Sequence, residues 1–115
     1  MMRWVMAAVL AAGPVTAQDW KMRDGDMLLD PEALTARLAG QTFEFFDGGR
    51  SIYFEDGKYN FIYGGGGTWY GYWEVTAPGT VCVEYLNDTK RCDRVVINDD
   101  RFVVLTREGE RFPVR

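Results

Sequence analysis

The sequence predicts a mainly β protein, either a small antiparallel up-and-down β-barrel or a strongly curved sheet of about seven strands, with one short N-terminal helix. From Thr42 onward, apolar and polar residues alternate with the period of two that is typical of strands. Tight-turn residues interrupt these runs at short intervals, as in an antiparallel meander. A strong helix start, Asp30-Pro31-Glu32, precedes the first run.

The composition narrows the possible classes of function. The chain has 115 residues, which fits one compact domain. It carries 13 Lys and Arg against 17 Asp and Glu, a net charge of −4, whereas nucleic-acid-binding proteins normally have a basic surface. It has no histidine, so a Ser-His-Asp triad, a Cys-His pair and an imidazole-bound zinc are excluded.

Other catalytic and metal-binding patterns are weak. Gly64–Gly67 lacks the Lys-Ser/Thr ending of a phosphate-binding loop and fits a hairpin loop better. Asp24, Asp26 and Asp30 do not have the spacing of a calcium-binding loop. No spacing singles out a pair of carboxylates for glycoside hydrolysis. We therefore expect a protein that is not an enzyme and has neither a metal site nor a cofactor.

Residues 1–17 have the layout of a secretory signal peptide. Arg3 gives a positive start, and nine apolar residues that end at Ala12 follow it. Small residues precede the expected cleavage site after Ala17, so Gln18 is the expected mature N-terminus. An ordinary buried helix is the alternative, while a membrane anchor would need about 20 apolar residues. We expect a periplasmic or secreted protein with no stable membrane anchor after cleavage.

Cys82 and Cys92 are the two cysteines of the chain, so one intramolecular pairing is possible in an oxidising compartment. A hairpin loop centred on Asn87 places them directly opposite each other and places Glu84 opposite Lys90. The pair lacks the C-x-x-C spacing of a redox-active site. We expect a structural disulfide.

After the signal peptide, we expect a flexible N-terminal segment at 18–29 and a single β-barrel domain at 30–115. The domain opens with a helix at 31–39, which Asp30 caps and Gly40 ends. Leu34 and Leu38 lie four residues apart on one helix face. This single apolar stripe suits packing on a sheet or closing a barrel end.

The first strong hairpin signal is Asp56-Gly57, which is typical of a two-residue type I′ turn. Such a turn places Phe54 opposite Tyr59 and Ile52 opposite Phe61. The two faces of this hairpin would then be Ile52, Phe54, Tyr59, Phe61 and Tyr63 on one side, and Ser51, Tyr53, Lys58, Asn60 and Ile62 on the other.

The last hairpin follows the same rule. A turn at Glu108-Gly109 places Leu105 opposite Phe112, and Pro113 suits an edge strand. The segment Asn98-Asp99-Asp100 marks a further turn, which leads into the predicted strand that begins at Arg101.

An aromatic segment follows the glycine loop in the middle of the chain. If residues 64–68 form the loop, Gly71 lies opposite Phe61 and leaves room for that ring or for a bend in the sheet. A one-residue slip in this loop would exchange the two faces. The expected structural core comprises Phe54, Phe61, Trp69, Gly71 and Trp73.

The opposite face supplies the candidate binding residues Tyr53, Ile62, Tyr70 and Tyr72. A tyrosine combines an apolar ring with a polar tip, which suits a recognition surface. The alternative is that these side chains lie beneath the helix, whose leucines need an apolar partner.

The order of leader, short helix ending at Gly40, Asp56-Gly57 hairpin, Gly71-Tyr72-Trp73 and a later cysteine pair resembles small uncharacterised secreted β-barrel proteins of bacteria. The G-x-W segment also resembles the signature of lipocalin-type barrels, where it lies near the start of the barrel. Periplasmic lysozyme inhibitors are similar in size, barrel form and disulfide. These resemblances imply a fold and an exported location, with no particular activity.

We therefore expect an exported, monomeric, non-catalytic binding or accessory module of the cell envelope, with a protein or glycan as its partner. A small-ligand carrier that uses the barrel interior and a small inhibitor of a secreted hydrolase are the alternatives. A filled interior would exclude a carrier, whereas a cavity of about 300 Å³ or more with convergent polar groups would favour one.

Overall fold

The computed structural model describes residues 20–115, so the predicted signal peptide at 1–17 lies outside the described residues. Eight antiparallel strands form one curled half-barrel sheet in which each strand pairs with the next in sequence. The elements are helix α1 at Pro31–Leu38 and strands β1 Gln41–Glu44, β2 Arg50–Tyr53, β3 Lys58–Ile62, β4 Thr68–Ala77, β5 Thr80–Tyr85, β6 Lys90–Asn98, β7 Arg101–Leu105 and β8 Arg111–Pro113. The predicted fold class is confirmed, with eight strands in place of about seven.

The curl of the sheet brings its two ends together. Phe45, just after β1, forms an isolated antiparallel bridge with Val114, just after β8. The amide of Arg115 donates to the carbonyl of Glu44 at 2.8 Å. The concave side of the sheet therefore surrounds an interior, and the convex side faces away from it.

Helix α1 closes one end of this interior. Asp30 caps it by accepting a hydrogen bond from the Ala33 amide at 2.8 Å. Leu34 and Leu38 are completely buried in the cluster that the concave side of the sheet provides. The amide of Gly40, just past the helix, donates to the carbonyl of Tyr53 at 2.7 Å and ties α1 to β2. Among residues 20–115, no helix is long and apolar enough to cross a membrane.

The described part of the segment before α1, residues 20–29, packs against the sheet and pairs with it at β6. Met27 forms an antiparallel bridge with Ile97. Trp20 is buried with three residues of β6 and β7, Val96, Val103 and Leu105. The Asp26 side chain is fully buried and pairs with Arg111. Burial of one ring and one ion pair thus fixes a segment whose polar composition gives no strand or helix pattern.

The hairpins at Asp56-Gly57 and Glu108-Gly109 each have a register that differs by one residue from the prediction. Tyr53, not Phe54, lies opposite Tyr59, and Arg111, not Phe112, lies opposite Leu105. In the first hairpin the Gly57 amide donates to the Phe54 carbonyl, and the Phe54 amide donates to the Lys58 carbonyl.

These bonds define a longer turn with a glycine bulge in place of the two-residue type I′ turn. Gly57 and Gly109 have φ of 95° and 92°, whereas Asp56 and Glu108 do not have positive φ, which a type I′ turn requires at both central residues. A type I′ geometry occurs instead at Asp99 and Asp100, with φ of 54° and 65°. The extra turn residue reverses the faces of β2, so the predicted apolar grouping of Ile52 and Phe54 with Tyr59 is wrong.

The faces predicted for β3 and β4 are correct, although the pairing is shifted by two residues. Phe61 lies opposite Trp69, and Gly71 lies opposite Tyr59. A Cβ on Gly71 would overlap the Glu84 carbonyl oxygen on β5. Gly71 thus permits the close backbone approach that bends the sheet.

The predicted disulfide is confirmed. Cys82 on β5 and Cys92 on β6 lie directly opposite each other and are bonded, and Glu84 lies opposite Lys90 as expected. Their side chains lie on the convex side of the sheet, since Val83 and Arg91 between them face the concave side. A disulfide indicates an oxidising location outside the cytoplasm.

Candidate functional site

The concave side of the half-barrel contains a cavity of about 270 Å³. Helix α1 closes one end, while the other end is bounded by turns and strand ends. The lining residues come from β2, β3, β5, β6, β7 and β8 and from the turns beside them, and they include the apolar side chains Phe45, Phe61, Val81, Val83, Val95, Val104 and Phe112. This is a small site with a mixed apolar and polar lining, of a size that holds part or all of a small molecule.

Tyrosine hydroxyls form the polar part of the cavity wall. Tyr53, Tyr59 and Tyr85 line it together with Ser51, and the hydroxyls of Ser51 and Tyr59 are hydrogen-bonded at 2.8 Å. Burial raises the pKa of Tyr53, Tyr59 and Tyr85 above the ordinary tyrosine value. These groups therefore remain protonated at neutral pH and can donate hydrogen bonds into the cavity.

An ion pair lies in the same wall. Arg91 and Asp93 are two residues apart on β6, so both face the concave side. The Arg91 guanidinium donates from Nε to Oδ2 at 3.0 Å and from Nη2 to Oδ1 at 2.8 Å. This two-bond contact raises the pKa of Arg91 further. Among residues 20–115, Arg91 is the only cationic group in the lining, and it is already paired with a carboxylate of the protein.

The wall is open beside this ion pair. Strand β6 pairs with β7 only from Arg94 onward, so Arg91 and Asp93 have no β7 partner in register. A second depression of about 410 Å³ lies here between the start of β6 and the turn at Arg107 and Glu108. It shares Arg91, Asp93 and Glu108 with the cavity, which is therefore accessible from the side as well as from its end.

The end of the cavity opposite α1 has an aromatic and acidic rim. Tyr63 and Phe112 are exposed there, at 49% and 37%. Asp47, Glu108 and Glu110 complete the rim and are also exposed. Within residues 20–115, these three carboxylates form no ion pair. No group of three or more His, Cys, Asp or Glu side chains in this part of the chain is placed to hold a metal ion.

The four candidate binding residues separate into two groups. Tyr53 is buried on the concave side and lines the cavity, because the one-residue change of register turned β2 over. Tyr70 and Tyr72 lie on the convex side, each 55% exposed, and Ile62 is half-buried on that side. Tyr53 belongs to the same buried cluster as Leu34 and Leu38 of α1, whereas Tyr70 and Tyr72 are exposed and not beneath the helix.

The predicted structural core is corrected at two positions. Trp73 and Gly71 are buried, and Phe61 packs against the core. Phe54 and Trp69, however, are 39% and 42% exposed. Phe54 lies in the hairpin turn, and its carbonyl accepts a hydrogen bond from Nε1 of Trp73 at 2.9 Å. The interior is therefore not filled by the four large rings that the sequence places there.

Apart from Tyr53, the polar residues of the cavity are not among the site residues predicted from the sequence. Arg91 and Asp93 could have been found, because the hairpin that places Cys82 opposite Cys92 also places Arg91 opposite Val83, which faces the core. Ser51 could not have been found in this way, because the face of β2 on which it lies depends on the type of turn at Asp56-Gly57.

The fold and this site define a disulfide-bonded antiparallel half-barrel with an open, aromatic-lined cavity on its concave side. Comparisons with known protein families, curated proteins and solved structures find no match to the chain.

Proposed function

We propose that this protein is an exported, non-catalytic binding module and that its ligand occupies the cavity on the concave side. The observation that carries this proposal is the combination of an unfilled space of about 270 Å³, an aromatic lining and convergent hydroxyl groups. Binding sites for small molecules are concave and mostly apolar, with a few placed polar groups. The cavity lies just below the size of about 300 Å³ that would favour a carrier, so the convergent hydroxyls and the aromatic lining, rather than the volume, support a carrier of a small ligand. No feature of residues 20–115 supports an inhibitor of a hydrolase.

The polar groups support binding rather than catalysis. A general base must accept a proton near neutral pH, yet burial keeps the hydroxyls of Tyr53, Tyr59 and Tyr85 protonated. Both carboxylate oxygens of Asp93 already accept hydrogen bonds from Arg91. These residues are suited to orienting a ligand.

The location that we propose is the periplasm or the exterior of a bacterial cell. Residues 1–17 have the pattern of a cleaved signal peptide, and the Cys82–Cys92 bond requires an oxidising environment. Both features agree with a soluble module of the cell envelope.

The test is a ligand-observed NMR screen of the mature protein against a library of compounds with about 8 to 15 non-hydrogen atoms. Val104 lines the cavity and is half-buried, so Val104→Trp should fill the space and abolish binding of the hits. The matched control is Tyr70→Ala/Tyr72→Ala, which changes exposed residues on the other side of the sheet and should leave binding unchanged. Val104→Phe serves as a milder filling variant if the tryptophan prevents folding.

A second candidate function is recognition of a protein or glycan of the envelope by the convex side. Tyr70 and Tyr72 are exposed there, and Leu86, whose amide bonds to the Tyr70 carbonyl, is 66% exposed. Loss of an envelope partner in Tyr70→Ala/Tyr72→Ala, with the same partner retained by Val104→Trp, would favour this surface. Compounds from the screen that bind Val104→Trp as tightly as they bind wild type would refute the cavity as the binding site.

A further inference from the structure

We propose, on the basis of the binding function above, that the cavity selects a small organic cation, a primary or quaternary ammonium attached to an apolar group. Four properties of the cavity support this inference: its size, its net charge, its aromatic rim and the ion pair that Arg91 forms with Asp93.

The size of the cavity limits the ligand. An apolar protein cavity of about 150 Å³ accommodates a benzene molecule. A volume of about 270 Å³ therefore accepts a six-membered ring or a branched alkyl group together with a few further atoms. A fatty acid or an oligosaccharide exceeds this space.

The charge of the lining is strongly negative. Within residues 20–115, the lining includes four carboxylates, those of Asp47, Asp93, Glu108 and Glu110, and one guanidinium, that of Arg91. Arg91 and Asp93 neutralise each other through their two hydrogen bonds. Three carboxylates without an ion-pair partner among residues 20–115 thus remain around the cavity. Their field favours a cation and disfavours an anion.

Aromatic rings share the cavity lining with these carboxylates. Phe45 and Phe112 contact each other edge to face, with ring centroids 6.4 Å apart, and both line the cavity with Asp47 and Glu110. Tyr63 and Phe61 form a second edge-to-face pair, with centroids 4.9 Å apart. The faces of such rings attract ammonium groups, and aromatic cages are a common way to bind quaternary ammonium.

In the part of the chain that the structure describes, an anionic ligand would find in the cavity lining only Arg91, a cation already paired with Asp93. An anion at the remaining N–H groups of Arg91 would lie beside the Asp93 carboxylate, which repels it. Lys90 and Arg107 line only the side depression and not the cavity itself. We therefore place the ammonium group at the end of the cavity that Asp47 and Glu110 bound.

Three probes of similar size and different charge test this assignment: 2-phenylethylammonium, 2-phenylethanol and phenylacetate. Dissociation constants are measured by protein-observed NMR titration at pH 7 and 50 mM salt. We expect the ammonium to bind about tenfold more tightly than phenylacetate, with the alcohol between them. In Asp47→Asn/Glu110→Gln, the preference should fall to about twofold or less. The matched control Glu32→Gln/Glu74→Gln removes two carboxylates outside the cavity lining and should retain the tenfold preference for the ammonium.

The outcomes separate this inference from the proposed function. If the alcohol or phenylacetate binds as tightly as the ammonium and Val104→Trp blocks both, the cavity is a binding site without cation preference. If the preference persists in Asp47→Asn/Glu110→Gln, the carboxylates are not its source and the inference is refuted. If none of the three probes binds at 10 mM in any variant, this inference fails, and a screen without hits would overturn the binding function itself.

Discussion

Replacing Asp26 by alanine should lower the free energy of unfolding at pH 7 by about 2–4 kcal/mol. Its side chain is fully buried and accepts from both terminal nitrogens of Arg111, each at 2.9 Å. It also accepts from Nδ2 of Asn98 at 2.7 Å and from the Arg23 amide at 2.8 Å. Breaking a buried ion pair by removing one partner costs about 3–5 kcal/mol, and the partial exposure of Arg111 reduces that cost.

The contribution of Asp26 depends on pH in a defined direction. Hydrogen bonding to Arg111 lowers the pKa of this carboxyl well below its usual range. The folded protein therefore holds Asp26 ionised where the unfolded chain protonates it, at a pKa near 4. The stabilisation is complete above that value and falls by about 1.4 kcal/mol per pH unit below it, until the native pKa is reached.

Urea unfolding of the oxidised protein, followed by tryptophan fluorescence at pH 7 and at pH 3, measures both effects. Asp24→Asn is the control, because Asp24 lies in the same segment but is exposed, and it should change stability by less than about 0.5 kcal/mol. A cycle with Arg111→Ala gives the coupling energy of the pair. An Asp26→Ala variant within 0.5 kcal/mol of wild type at pH 7, or an equal loss at both pH values, would refute the reasoning.

Three further predictions concern the disulfide, the sheet bend and the buried tyrosines. Cys82→Ala/Cys92→Ala should lower the free energy of unfolding by about 2–3 kcal/mol, as expected for a disulfide loop with a sequence separation of 10. Wild type in reductant should unfold at the same urea concentration as this variant. Gly71→Ala should lower the free energy of unfolding by more than about 2 kcal/mol, because the new Cβ meets the Glu84 carbonyl and lies 3.0 Å from Tyr85 Cα. The control Gly65→Ala places its Cβ in open space and should leave the free energy of unfolding unchanged in the same assay. Burial raises the pKa of Tyr59, so Tyr59→Phe should leave the phenolate absorbance change of the folded protein unaltered at pH 10 to 11; a smaller change than in wild type would contradict this.

The sequence predicts the fold class because period-two patterns and turn residues are local signals. Helix α1 follows from Asp30 and Pro31, which act on the helix end directly. The disulfide follows from the symmetric hairpin around Asn87. None of these depends on how distant parts of the chain pack.

The cavity could not be predicted because it depends on the geometry of one turn. Asp56-Gly57 is compatible with a type I′ turn and with a longer turn that carries a glycine bulge, and these differ by one residue in register. The choice between them decides whether Ser51 and Tyr53 or Ile52 and Phe54 face the interior. Packing decides it here, since Tyr53 contacts the rings of Phe43, Tyr59 and Trp73 at 5.3 to 5.4 Å between centroids.

The N-terminal segment was expected to be loose because its anchors are remote in sequence. Asp26 and Arg111 are 85 residues apart, so no local pattern around Asp26 can reveal the pair. Trp20 likewise becomes buried only where β6 and β7 meet.

The strand order has a consequence for the sequence of events during folding. Each strand pairs with its predecessor, so a chain that emerges N-terminus first can add strands to the growing sheet one at a time, with little loop-closure entropy for each. The earliest residues to emerge are an exception. Met27 must wait for Ile97, and Asp26 for Arg111. The first segment of the described chain is therefore among the last to find its place, and its docking completes the domain.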